Sequence, residues 1–151
     1  NLESVQLTLT DSFDGETNEN LKTGRYAFDF IYRQIFVFNW REPRHDFKFK
    51  GDIVGYSQDF YTSRYRLFEV YMKTLQMILE FVMEEEMEKK FYLNILEAVL
   101  STQEMQTIFY YCISGNAPAL TSILQETKLL HPGLVGKLLD EQHWDFWNAK
   151  S

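Results

Sequence analysis

The sequence predicts an all-α domain of five or six helices, with a short β-strand or hairpin near its N-terminus. Three observations point that way. Apolar residues recur every three to four positions through most of residues 23–141. Helix start and stop signals punctuate that stretch at regular intervals. The clearest period-two alternation is "VQLTLT" at residues 5–10, enough for one short strand, and the polar "DSFDGETNEN" after it suits a loop or hairpin turn. At 151 residues and 17% aromatic, the chain fits one domain with ample material for a core. The expected division is a lead-in over 1–22, a helical core over 23–141 and a tail over 142–151.

The first helix is expected from Thr23, a capping residue, to about Trp40. Ala27, Phe28, Phe30, Ile31, Tyr32, Phe36 and Phe38 line so much of its circumference that it should be central and buried. The charged "REPRHDFKFKGDIVGYS", with Pro43, Gly51 and Gly55, breaks the pattern. Ser57 or Asp59 is then expected to start a long helix to about Val82. Its apolar stripe is Phe68, Tyr71, Met72, Leu75, Ile78, Leu79 and Val82, and its polar stripe is Arg66, Glu69, Lys73, Gln76 and Glu80.

The run "EEEMEKK" suits the head of the next helix, since acidic residues favour the N-terminal end of the macrodipole. Met87, Phe91, Ile95, Ala98 and Val99 supply its expected buried face. Ser101 followed three residues later by Glu104 reads as a capping box, so a new helix begins there and ends at Gly115 and Asn116. Pro118 opens another helix, "HPG" at 131–133 stops it, and a last short helix covers about 134–141. The tail "HWDFWNAKS" brings two tryptophans that are expected to dock.

Charge and composition narrow the functional classes. A net charge of −7 argues against a general polyanion binder. One cysteine, Cys112, excludes an internal disulfide and suits a reducing cytoplasm. No apolar run reaches the length of a membrane helix. The chain starts at Asn1, and the expectation is a piece of a longer protein whose upstream part carries any membrane segment.

Candidate chemistry is sparse. "WREPRHDFKFK" interleaves Arg41, Arg44, Lys48 and Lys50 with Trp40, Phe47 and Phe49, the mixture that neutralises phosphates and stacks bases, though Glu42 and Asp46 dilute it. The Arg-then-His spacing of helical toxin ribonucleases is lacking; Arg41 and His45 come nearest, within a loop that contains proline. Asp140, Glu141, His143 and Asp145 are possible metal ligands without a second His or Cys nearby. Cys112 shares an apolar face with Met105, Ile108 and Phe109, which suits a small core residue better than a nucleophile. No glycine-rich phosphate loop or serine elbow occurs, so no catalytic set, cofactor or resident metal is expected.

Three stretches in order, "TGRYAFDFIYRQI" (23–35), "VYMKTLQMILEFV" (70–82) and "LNILEAVLSTQEMQTIFYYCISGN" (93–116), resemble the phage abortive-infection proteins of bacteria, the PutAbiC type. Residues that follow the family's pattern are Gly24, Arg25, Ala27, Phe28, Tyr71, Leu75, Ile78, Leu79, Ala98, Leu100, Ser101, Glu104, Phe109 and Tyr110. Lys73 and Glu97 stand where the family tends to have Arg. Most of these are packing or capping types, so the resemblance implies a fold before it implies an active site. It further implies anti-phage defence through contact with a protein partner or self-association, on the cytoplasmic side of a membrane reached only by upstream segments. The alternatives are a nuclease or nucleic-acid binder using residues 40–50, and a helical scaffold with no defence role.

Overall fold

A computed structural model of the chain describes residues 6–8 and 21–150, with the side chains of 6–8 and 21–26 outside that description. The turn expected over 11–20 therefore lies outside the described residues. Gln6–Thr8 (β1) pairs antiparallel with Leu21–Thr23 (β2), with Gln6 opposite Thr23 and Thr8 opposite Leu21. Two three-residue segments form no layer of the fold. The expected architecture is corrected accordingly: the molecule is helical, and its described residues hold eight α-helices instead of five or six.

Gly24–Phe30 (α1), a π-helical segment Ile31–Val37 and Phe38–Arg41 (α2) run on without leaving the helical region of backbone space. The buried residues explain the widened middle. Ala27 and Phe28, Ile31 and Tyr32, and Ile35 and Phe36 are three buried pairs spaced four apart. In a regular α-helix each four-residue step turns about 40° past a full circle, so such pairs drift off one face. The wider π turns counter the drift and hold the pairs toward the core. Phe38 is left exposed, so this helix is not wrapped on all sides as its composition suggests.

The long helix expected from Ser57 or Asp59 to Val82 is two helices. Ile53–Ser63 (α3) starts earlier, capped by Asp52, whose Oδ1 accepts from the Gly55 amide at 2.9 Å. Arg64 leaves helical geometry, and Tyr65–Glu84 (α4) follows. The break has a local cause. Ser63 Oγ donates to the Asp59 carbonyl at 2.9 Å, competing with the backbone, while the Arg64 guanidinium lies 4.1 Å over the Phe60 ring.

Lys89–Val99 (α5) also starts later than expected, leaving Glu85 to Glu88 in the connection. Its expected buried face is overturned: Met87 is 95% exposed and Phe91, Ile95 and Val99 are all exposed, while Leu96 is the helix's buried residue. Among the described residues no further layer covers that side. Thr102–Ile113 (α6) follows its capping box, ends before Gly115 at φ +84°, and is succeeded by Pro118–Thr127 (α7) with proline in its first turn. The stop of α7 comes four residues before "HPG", where Lys128 adopts a left-handed backbone at φ +57°. His131–Gly133 instead opens a 3₁₀ turn over Pro132–Lys137, His131 Nδ1 accepting from the Gly133 amide at 3.1 Å. A second 3₁₀ turn, Glu141–His143, leads into Trp144–Asn148 (α8).

The core gathers around α6, which touches α1, α3, α7 and α8. Ile108, Phe109, Tyr110, Cys112 and Ile113 are all buried there, and so are the polar Glu104, Gln106 and Thr107. The tail docks as expected: Trp147 is buried and the Trp144 ring stacks on Phe109 at 5.7 Å.

Candidate functional site

The best-built polar feature is the start of α6. Ser101 Oγ accepts from the Glu104 amide at 3.1 Å, and Glu104 Oε1 accepts from the Ser101 amide at 3.2 Å, completing the capping box. The second carboxylate oxygen of Glu104, Oε2, accepts from the Tyr71 hydroxyl at 2.6 Å. Glu104 and Tyr71 are buried, so the capping residue also ties α4 to α6 across 33 residues of chain. Burying a carboxylate is unfavourable without such partners, and here both oxygens are engaged. Phe28 from α1 lies on the same tyrosine, ring centroids 4.2 Å apart. The resemblance residues Phe28, Tyr71, Ser101 and Glu104 thus form one junction of three helices, with Leu75 and Leu100 buried beside their neighbours. The arrangement joins helices, and its hydrogen-bonding capacity is spent inside the protein.

Tyr110 organises a second network. Its hydroxyl accepts from the Leu139 amide at 2.8 Å and lies 2.9 Å from His143 Nδ1. The phenol's own hydrogen can then point at Nδ1, which requires a neutral imidazole protonated on Nε2. Burial lowers the His143 pKa, with Asp140 acting against it, in agreement with that form. Burial raises the Tyr110 pKa well above the ordinary phenol range. Tyr32 and Phe36 of the π segment pack against the Tyr110 ring, and the Phe36 carbonyl accepts from the buried Tyr56 hydroxyl at 2.7 Å. The sequence placed His143 among possible metal ligands without expecting a metal there. Its partner in the fold is a phenol, and no cluster of three or more His, Cys, Asp or Glu side chains is placed to hold a metal among the described residues.

The nucleic-acid candidates separate in space. Arg44 and Lys48 line an open groove of about 360 Å³ with Phe47, Phe49, Phe60 and Arg64, while Asp46 and Asp59 line it too. Arg41 ends α2 and Lys50 sits exposed in the turn before α3; neither lines that groove. Arg64 is a member that sequence reasoning missed, because its role depends on the break between α3 and α4. Its pKa is lowered, chiefly by burial, and its Nε is buried with no hydrogen-bond partner.

A larger open groove, about 530 Å³, runs between α4 and α7 past Tyr65, Glu69, Lys73, Gln76, Tyr111 and Asn116. Lys73, at the position where the resembling family tends to have Arg, is exposed and pairs with Glu69 at 2.7 Å, which raises its pKa. Cys112 is fully buried, and burial pushes its thiol up to about 12, far from a reactive thiolate. Gly24 and Arg25 occupy the first turn of α1.

The helices α4 to α7 form the unit that holds the Tyr71–Glu104–Ser101 junction, and it is on this unit that a family match falls. Residues 63–132 match the family described as putative phage abortive infection protein. The matched span contains the second and third motifs, while the first, at 23–35, lies outside it. The comparison with curated proteins and that with solved structures found no match. Among the described residues no helix is long and apolar enough to cross a membrane.

Proposed function

We propose that this chain is a domain of a bacterial anti-phage defence protein that works through protein contact on the cytoplasmic side of the membrane. One observation carries the reading: the family match covers α4 to α7 as a unit. The same unit ties its conspicuous polar side chains, Tyr71, Ser101 and Glu104, into helix junctions, which favours a surface-based role.

The test is a plating assay with the full-length gene against a broad phage panel. Reduced plating efficiency for at least one phage is expected, and unchanged titres across the panel would count against defence. A second reading, nucleic-acid contact, is favoured by one specific observation, the meeting of Arg44 and Lys48 with Arg64 around an aromatic groove. Phosphate contacts weaken as salt rises. Binding to RNA or DNA that falls steeply with salt, and that Arg44→Glu abolishes, would favour this reading over protein contact.

A further inference from the structure

Exposed hydrophobic residues are ordinary when scattered. Those on α4 are aligned. Val70, Met77 and Phe81 are 64%, 68% and 59% exposed. Their spacing of seven and then four residues keeps all three within about 40° of one another around the helix axis. No charged residue interrupts the line, for Thr74 fills the position between Val70 and Met77. This is a ridge that wants a facing surface, yet the described helices pack on the opposite side of α4.

The charges beside the ridge say what that surface is. Along one flank of α4 run Arg66 and Lys73 in the N-terminal half, with Glu69 paired to Lys73 at its outer edge, then Glu80 and Glu84 in the C-terminal half. A two-fold axis crossing the ridge near residues 75–76 would set Arg66 opposite Glu84 and Lys73 opposite Glu80 of a second copy, with Val70 facing Phe81. The apolar line and both charge pairs are satisfied by one operation. A parallel pairing would instead bring the charged flank against the half-buried Leu67 and Ile78 of the other helix. Closed two-fold contacts use the same patch twice, and opposed charges across them set orientation.

We infer that this chain forms an antiparallel two-fold dimer with a second copy of itself through the outward ridge of α4. The inference deepens the protein-contact reading by naming the partner. The Lys73–Glu69 pair within the helix does not oppose it, because exposed ion pairs rearrange at little cost. A contact centred on one helix of about 30 Å is small, so association in the micromolar range is expected.

Charge exchange provides the test. The full chain, Arg66→Glu/Lys73→Glu and Glu80→Lys/Glu84→Lys would be compared by sedimentation equilibrium up to about 1 mM, with circular dichroism confirming that each is folded. The unaltered chain should dimerise. Each variant alone carries at least four like charges on its flank and should associate at least about tenfold more weakly. An equimolar mixture of the two should recover a heterodimer. A monomeric unaltered chain, variants that dimerise as well as it does, or a mixture that stays monomeric would overturn the inference. The plating assay is a separate readout: a dimer without protection would sink the defence reading alone, and protection by a strictly monomeric protein would sink the dimer alone.

Discussion

Both faces of α4 carry apolar side chains, and their circumstances are opposite. Tyr71, Leu75 and Leu79 are fully buried, Tyr71 against Phe28 of α1 and Glu104 of α6, whereas Val70, Met77 and Phe81 stand in solvent on the same helix. The inner face is completed by a specific polar contact, Tyr71 to Glu104, that sets how α4 meets α6. The outer face has only a line of apolar side chains and a flank of sorted charge. The difference teaches that a hydrophobic stripe states that something is covered, and leaves open whether the cover comes from the same chain.

Substitutions on the two faces of α4 should differ widely in their effect on stability. The largest effect is expected at Leu75→Ala, which removes a fully buried side chain and should cost about 2–5 kcal/mol in chemical denaturation. If the loss were below about 0.5 kcal/mol, the inner face would not be the packed one. Glu104→Ala should follow at roughly 1.5–3 kcal/mol, because it leaves the buried Tyr71 hydroxyl without its charged acceptor and removes half of the capping box. Glu104→Ala combined with Tyr71→Phe should be less destabilised than the sum of the two single variants, a coupling that a double-mutant cycle would read directly.

Ser101→Ala is expected to cost about 0.5–2 kcal/mol, and Ser101→Asp to be tolerated because Asp also caps and its charge suits the helix N-terminus. A Ser101→Asp protein that is fully stable yet fails to protect against phage would show that the junction does more than cap.

His143 gives a pH signature. Its folded pKa lies below that of the unfolded chain, near 6.5, so between those values the unfolded state binds the extra proton. Stability should therefore be unaffected by this group above about pH 6.5 and decline as pH falls below it. His143→Asn, which can keep an acceptor near Nδ1, should flatten that part of the profile in urea titrations from about pH 5.5 to 7.5, one unit either side of the unfolded value.

The smallest effect belongs to the outer face. Met77→Ala should change the stability of the isolated chain by no more than about 0.5 kcal/mol, since it removes few contacts and Ala favours helix. A loss comparable to that of Leu75→Ala would mean that the ridge is already covered within one molecule.

Local signals were legible wherever neighbouring residues in the chain decide the outcome. Ser101 and Glu104 are three positions apart and cap as their types require; Pro118 and Gly115 mark a start and a stop for equally local reasons. The inner stripe of α4 was readable because its residues recur at helical spacing. The break at Arg64 was not, since both halves keep a helical pattern and the interruption comes from Ser63 and Arg64 binding back to the preceding turn. For the site, the sequence singled out Arg44 and Lys48 but could not join them to Arg64. It gave His143 no partner, because nothing in the chain near residue 143 reveals a phenol 33 residues away.

The sequence alone determined a helical chain, its capping box, and the family resemblance carried by residues 70–82 and 93–116. Tertiary structure decided that Glu104 serves Tyr71 as well as its own helix, and that the helix from Gly24 widens to keep Tyr32 and Phe36 on Tyr110. It also decided that Phe91, Ile95 and Val99 face outward although their spacing fits a buried side. The reason is that periodicity and capping are properties of a few consecutive residues, whereas burial depends on which other elements arrive at a face, and that is settled by contacts between residues far apart in the chain.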